Sequence, residues 1–269
     1  MIDPTHNNFI SHAENVLHKT TGYTGTRFPD THKKAKDLLK FGARLALPNG
    51  IKTTIADFEG GNNEVYASSN SVDKIVSSDP GDTGTVVVEG HELTSNGLEF
   101  KIQTVTLTGT TPADLVTPLI RCTRIYAVSQ NLIGKISVYD SVISAGAVDS
   151  NSVKCQVIAG NNQSNKAATA ISYADALFIT SVTLSTTRSS GGTVSVDFDL
   201  ERKPYDSNVW RPFGLSITLK ADVQSSLPLK FEPYLIVESN SDVRITATAS
   251  NTGANVAAHW QSMLTLTRY

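Results

Sequence analysis

The sequence predicts a mainly β protein: an antiparallel β-sandwich or jelly-roll body preceded by a short helical N-terminal arm. Three observations lead there. From about Thr53 onward, β-branched runs such as TVVVEG, EFKIQTVTLTG, TRIYAVSQ and GKISVYDSVI alternate apolar and polar side chains with period two. Clusters of Gly, Asn, Asp and Pro separate these runs, as turns require. Residues before 50 instead carry the three-and-four spacing of helices.

Two helices are expected at the start. The first has Asp3 as N-cap, Pro4 in the first turn, the run NNFISHAENVLHK and a stop at Gly22. The second is capped by Asp30 or Thr31, runs through KKAKDLLKFGARLALP and ends at Pro48. On it Ala35, Leu38, Leu39, Gly42 and Leu45 share one face, with Lys33, Lys36, Lys40 and Arg44 mostly off it. The flexible GYTGTRFPD joins the two. Neither helix has enough apolar surface for a core of its own, so residues 1–52 read as an arm that docks elsewhere.

The β texture divides into a first segment, 53–150, and a second, 151–269, with an Ala/Gly/Asp/Ser-rich connector at 144–152. The two segments form one body or two. In the second, Ser189-Ser190-Gly191-Gly192 reads as a tight hairpin turn, because tandem glycines supply positive φ. Beyond it Val194, Val196, Phe198 and Leu200 alternate with Ser195, Asp197, Asp199 and Glu201, giving a core face and a wet face. No repeat of fixed period appears, which argues against a propeller or solenoid.

Charge and composition exclude several functions. Net charge is −2, with seven Lys/Arg against four Asp/Glu in residues 1–50, far from the balance of a dedicated nucleic-acid binder. No apolar stretch approaches the roughly 20 residues that cross a bilayer. MIDPTHNNFISHAENVLHK lacks the charged start and apolar block of a secretion signal, so a soluble protein made in a cytoplasm is expected. Cys122 and Cys155 each sit in a strand-like run and are expected as buried thiols; a disulfide requires the two runs to be neighbours, which spacing does not decide.

Candidate chemistry is sparse. The loop Asp79-Pro80-Gly81-Asp82-Thr83-Gly84 offers carboxylates to a cation, yet it lacks the EF-hand ligand pattern and the lysine and helix of a phosphate loop. It reads as a turn that delivers a strand. His6, His12 and His18 recur every six residues and spread around a helix, while His32, His91 and His259 have no partner at ligand spacing, so surface or cap roles are expected and no metal. There is no G-x-S-x-G elbow. Asp197, Asp199 and Glu201 would need a second carboxylate across a cleft to act as a glycosidase pair. The basic stretch 33–44 has phosphate contact as an alternative to docking. Tyr205, Trp210 and Phe213, in KPYDSNVWRPFG, either close the core or contact a ligand such as a sugar.

The passage DTGTVVVEGHELTSNGLEFKIQTVTLTGTTPADLVTPLIRCTRIYAVSQNLIGKISV resembles a segment of virion structural proteins of tailed bacteriophages. The corresponding residues are 82–90, 105–110, Arg124-Ile125 and 134–138, with a departure at His91-Glu92, where an apolar-acidic pair is commoner. ALFITSVTLSTTRSSGGTVSVDFDLERKPYDSNVWRPF and LPLKFEPYLIVESNSDVRITATASNTGANVAAHW look like the companion jelly-roll, so the resemblance spans about residues 75–269. It implies a non-enzymatic particle component without cofactor. The leading expectation is a capsid decoration or cement protein on the virion surface, a homotrimer docked on the major capsid protein lattice through Leu38, Leu39, Phe41 and Leu45, without direct nucleic-acid or membrane contact. The rival is a tail, neck or fibre-tip protein binding a host glycan through Tyr205, Trp210 and Phe213. A carbohydrate-binding module outside any virus, or a hydrolase whose carboxylates converge only in three dimensions, would represent other classes.

Overall fold

A computed structural model describes residues 35–58, 66–140, 148, 152–188, 193–221 and 225–266. These residues are mainly β, and every pair of strands in the sheets is antiparallel. In chain order the strands are β1 Ala35–Arg44, β2 Thr53–Thr54, β3 Val72–Ser77, β4 Thr85–Thr94, β5 Gly97–Thr106, β6 Ala113–Leu119, β7 Arg121–Ala127 and β8 Ile136–Tyr139. They continue as β9 Val153–Val157, β10 Ala168–Ile171, β11 Asp175–Arg188, β12 Ser195–Pro204, β13 Arg211–Lys220, β14 Ser225–Val237, β15 Ser241–Ala249 and β16 Ala254–Leu266.

Period-two patterning places these strands in two pairs of sheets, each pair closed on its own core. In the first sandwich, β5-β4-β7 faces β6-β3-β8-β9 over Val72, Ile75, Val86, Val88, Leu98, Ile125, Ile136 and Val138. In the second, β1-β16-β11-β14 faces β10-β15-β12-β13, with β2 added to β15, over Leu177, Val182, Leu184, Val196, Phe198, Leu200, Ile245 and Trp260. The sheets group the chain differently from a division at residues 52 and 150. β1 and β2 belong with the strands after residue 166, and β9 completes the first sandwich by pairing with β8.

The second expected helix is therefore corrected. Residues 35–44 form a strand paired over its whole length with β16, from Ala35 opposite Thr265 to Arg44 opposite Val256. Leu, Lys and Ala favour helices only weakly, by tenths of a kcal/mol per residue, and a ten-residue ladder with a buried face outweighs that preference. Gly42 makes the packing feasible: a Cβ there would collide with Ile55 O and Ala167 N, where the chain crosses β1. Lys40 and Arg44, expected on the wet side of a helix, are buried, whereas Leu39, Phe41 and Leu45 are exposed. The first expected helix lies outside the described residues.

The hairpin expected at residues 189–192 is also corrected. The turn itself lies outside the described residues, but its flanks are strands of opposite sheets: β11 pairs with β14 and β16, and β12 with β13 and β15. The predicted alternation of β12 holds through Glu201, which keeps the face of Asp199 in an unbroken register with β15; the bulge lies in β13, and Lys52 and Arg244 packed on Glu201 leave it 3% exposed.

Candidate functional site at the junction of the sandwiches

The two sandwiches meet through charged side chains that the strands aim at each other. Arg121, the first residue of β7, donates from Nε to Asp242 of β15 at 2.9 Å (Oδ1) and 3.1 Å (Oδ2), and from Nη2 at 2.9 Å. Its Nη1 donates to the carbonyls of Ala67 at 2.5 Å and Ile120 at 2.9 Å. Lys203 of β12 reaches the same carboxylate at 2.9 Å, with side-chain exposures of 4% for Lys203 and 0% for Asp242. Two cations thus share one buried carboxylate. The Tyr66 ring lies 4.9 Å from the Arg121 guanidinium and 5.0 Å from Lys203 Nζ, where its π face favours positive charge.

Trp210 extends this cluster. It meets Tyr66 edge-on at 5.1 Å, and the Arg244 guanidinium stacks 3.9 Å from its ring. Arg244 pairs with Glu201 at 2.9 Å, and Lys52 bridges Glu201 at 2.9 Å and Asp199 at 2.6 Å. The three carboxylates considered for glycosidase chemistry thus face cations or hydroxyls: Asp197 accepts from Thr218 Oγ1 at 2.5 Å and Asp199 from Ser216 Oγ at 2.7 Å.

Lysines form a second seam. Lys40 of β1 donates to Thr123 O of β7 at 3.1 Å, and Lys166 donates to Cys122 O at 2.8 Å and Lys154 O at 3.1 Å. Burial lowers the Lys40 pKa to about 8, the attraction of Glu89 only partly offsetting it. His91 is corrected from its surface or cap assignment: it is 3% exposed, edge-on to Phe100 at 5.4 Å, and burial lowers its pKa to about 3 against the opposing pull of Asp242. At neutral pH it is an uncharged core residue. The junction's cavity, lined by Tyr66, Arg121, Cys122, Thr123, Lys166 and Asp242 among others, measures about 10 Å³, room for one water-sized molecule. This arrangement locks two bodies; it does not accommodate a substrate.

Asp82, read as a turn residue, is a buried anchor. Its carboxylate accepts from Ser77 Oγ at 2.5 Å, Ile133 N at 2.9 Å and Gly134 N at 2.9 Å. Burial works to raise its pKa, but these hydrogen bonds together hold it below the ordinary carboxylate value. The acid-and-glycine loop is thereby pinned to the segment that enters β8. Among the described residues, no group of three or more His, Cys, Asp or Glu can hold a metal ion, and no helix is long and apolar enough to cross a membrane.

The four expected docking residues separate. Leu38 packs on the second core, while Leu39, Phe41 and Leu45 are exposed at 63%, 46% and 68%. On that outer face Phe41 lies opposite His259 and Leu39 opposite Gln261. Gln261 also lines a groove of about 460 Å³ with Thr180, Ser181, Lys230, Pro233 and Tyr234. The expected glycan residues separate too: Tyr205 packs on the first core, Phe213 on the second beneath Arg202, and Trp210 belongs to the junction. Sequence reasoning missed Arg121 and Asp242, because a cation and a carboxylate 121 positions apart leave no spacing signal.

No protein-family model matches the chain, and no curated protein does. Among solved structures, it is similar to a chain of the infectious bursal disease virus Gx strain at 9% identity and a TM-score of 0.25, covering 94% of this chain and 78% of that one. Similarity to the Gt strain structure is at 11% identity and 0.23, covering 94% and 77%. A VP2 subviral particle of the same virus gives 10% and 0.24, again covering 94% and 77%.

Proposed function

We propose that this protein is a non-enzymatic structural component of a tailed-phage virion, a decoration or cement protein docked on the major capsid protein lattice as a homotrimer. The observation that carries the reading is the outer face of β1-β16-β11-β14, where exposed Leu39 and Phe41 stand beside the 460 Å³ groove. Burying one such side chain against a partner is worth roughly 1.5–3 kcal/mol. The sequence resemblance to phage virion proteins supports the same reading, and the charged lock between the sandwiches supplies a stiff body.

The test is binding of purified protein to undecorated capsids. Wild type saturates them at many copies per particle, and Leu39→Asp/Phe41→Asp does not bind while staying folded. Twelve or fewer copies, or undiminished binding by that variant, sinks the reading; a monomer in analytical ultracentrifugation sinks the trimer. Deletion of residues 1–50 is not a clean test, because it removes β1 from the second sandwich.

A second reading, a tail or fibre-tip protein binding a host glycan, is favoured by one feature. An open groove of about 470 Å³ is lined by Arg124, Tyr126, Asn161, Asn162, Gln163 and Asn165, whose amides and ring suit hydroxyl-rich ligands. Glycan-array binding lost in Tyr126→Ala would support it, and an array without hits counts against it.

A further inference from the structure

Cys122 and Cys155 stand on different sheets of the first sandwich. Cys122 lies on β7 at the margin of β5-β4-β7, and Cys155 on β9 at the margin of β6-β3-β8-β9. The Cα atoms of these two end strands approach within 8 Å where the facing sheets draw together. Both residues are reduced thiols at 1% and 0% exposure, and the two side chains are hydrogen-bonded to each other. Lys166 holds the neighbouring backbone in place, its ammonium donating to Cys122 O at 2.8 Å and, across the gap, to Lys154 O at 3.1 Å.

We propose that Cys122 and Cys155 form a latent disulfide, closed by a peroxide-class oxidant, that staples β7 to β9 across the first sandwich. Cys122 lines the junction cavity of about 10 Å³, and this is the side from which a small oxidant reaches its sulfur. In the first step the Cys122 sulfur attacks hydrogen peroxide. An S–O bond forms, the O–O bond breaks, and the departing hydroxide takes the thiol proton as water, leaving a sulfenic acid. In the second, the Cys155 sulfur attacks the Cys122 sulfur. The S–S bond forms, the S–O bond breaks, and the hydroxyl leaves with the Cys155 proton as a second water. Two thiols are oxidised by two electrons in all, and one peroxide is reduced to two waters. Burial raises the Cys122 thiol pKa, so the reactive thiolate is scarce and the peroxide step is slow at neutral pH.

The experiment exposes the purified, folded full chain to hydrogen peroxide. It then titrates thiols after denaturation, measures intact mass and maps peptides without reduction. Both thiols disappear together, the mass falls by two hydrogens, and one cross-linked peptide pair joins residues 122 and 155. The Tm rises by roughly 5–10 °C and returns with dithiothreitol. Cys122→Ala/Cys155→Ala shows no such rise under the same treatment. Two titratable thiols persisting through the exposure, oxidation of one cysteine to the sulfinic acid without a cross-link, or an equal Tm rise in the double variant would each overturn the proposal. If the double variant does not fold, mass and peptide mapping of the wild type decide alone.

Discussion

The two sandwiches use the same materials and close them differently. In the first, the residues packed at the edge of the core are few: Leu93, Ala113, Ala127 and Tyr205. In the second, Phe213, Ile217 and Leu219 of β13 and Leu229, Phe231 and Leu235 of β14 remain only partly buried. β13 and β14 each end their sheet, so the two sheets part along that margin. Pro212, Pro228 and Pro233 on these end strands remove backbone donors that would otherwise invite uncontrolled strand addition. The first sandwich is thus a completed core, while the second keeps a half-covered margin and, on its other end strand, the exposed Leu39 and Phe41. The proposed docking face lies on the second body, although the first also exposes Ile102, Val116, Val128 and Ile133.

The sharpest way to break this comparison is to unlock the two bodies. Asp242→Asn leaves Arg121 and Lys203 buried without their carboxylate, an expected loss of about 3–5 kcal/mol. Denaturant unfolding followed by two probes should then show separate transitions for the two sandwiches. A single coincident transition of unchanged midpoint would mean that the cluster is not the lock.

Next in size are the pH limbs of the junction. His91 stays neutral in the fold down to about pH 3 but protonates near 6.5 once unfolded, so the unfolded chain binds more protons between those values. Stability rises with pH across that window and falls on acidification, and His91→Phe flattens the limb. Lys40 has a folded pKa of about 8 against 10.5 unfolded, so stability rises again from pH 8 to 10.5, by up to about 3 kcal/mol. Lys40→Met removes that rise. Urea denaturation at stepped pH checks both limbs.

Smaller effects probe each body separately. Asp82→Ala orphans Ile133 N and Gly134 N and costs about 1–3 kcal/mol, confined to the first sandwich; hydrogen exchange should show protection lost there alone. At the other end of the scale, Leu39→Asp on the outer face changes stability by no more than about 0.5 kcal/mol by thermal unfolding, because that side chain is 63% exposed among the described residues.

How much was legible depended on the range of the interaction. The strands β4, β5, β7, β8 and the alternation of Val196, Phe198 and Leu200 were readable, because period-two burial is written within a few residues. β1 was misread because Leu38, Leu39, Gly42 and Leu45 satisfy the helical spacing as well as AKDLLKFGAR satisfies alternation, and only β16 breaks the tie. Residues 189–192 were misread because paired glycines permit a tight turn without specifying which sheet receives the next strand. Of the expected docking residues Leu38, Leu39, Phe41 and Leu45, the last three are exposed and Leu38 packs on the core, and Leu38, Leu39 and Phe41 stand on a strand in place of the expected helix. Trp210 was named among ligand contacts and lies in a cation-rich cluster.

The amino-acid sequence by itself determined that this is an antiparallel β protein, that its cysteines and alternate valines are buried, and that the loop at Asp82 leads into a strand. Those properties follow from steric preference and local alternation, which act over neighbouring residues. Tertiary structure alone decided that β1 joins the last strand, that Arg121, Lys203 and Asp242 share one buried site, and that the two thiols touch. Each of these pairs residues far apart in the chain, and their encounter is selected by the whole core closing, not by any preference of the residues themselves.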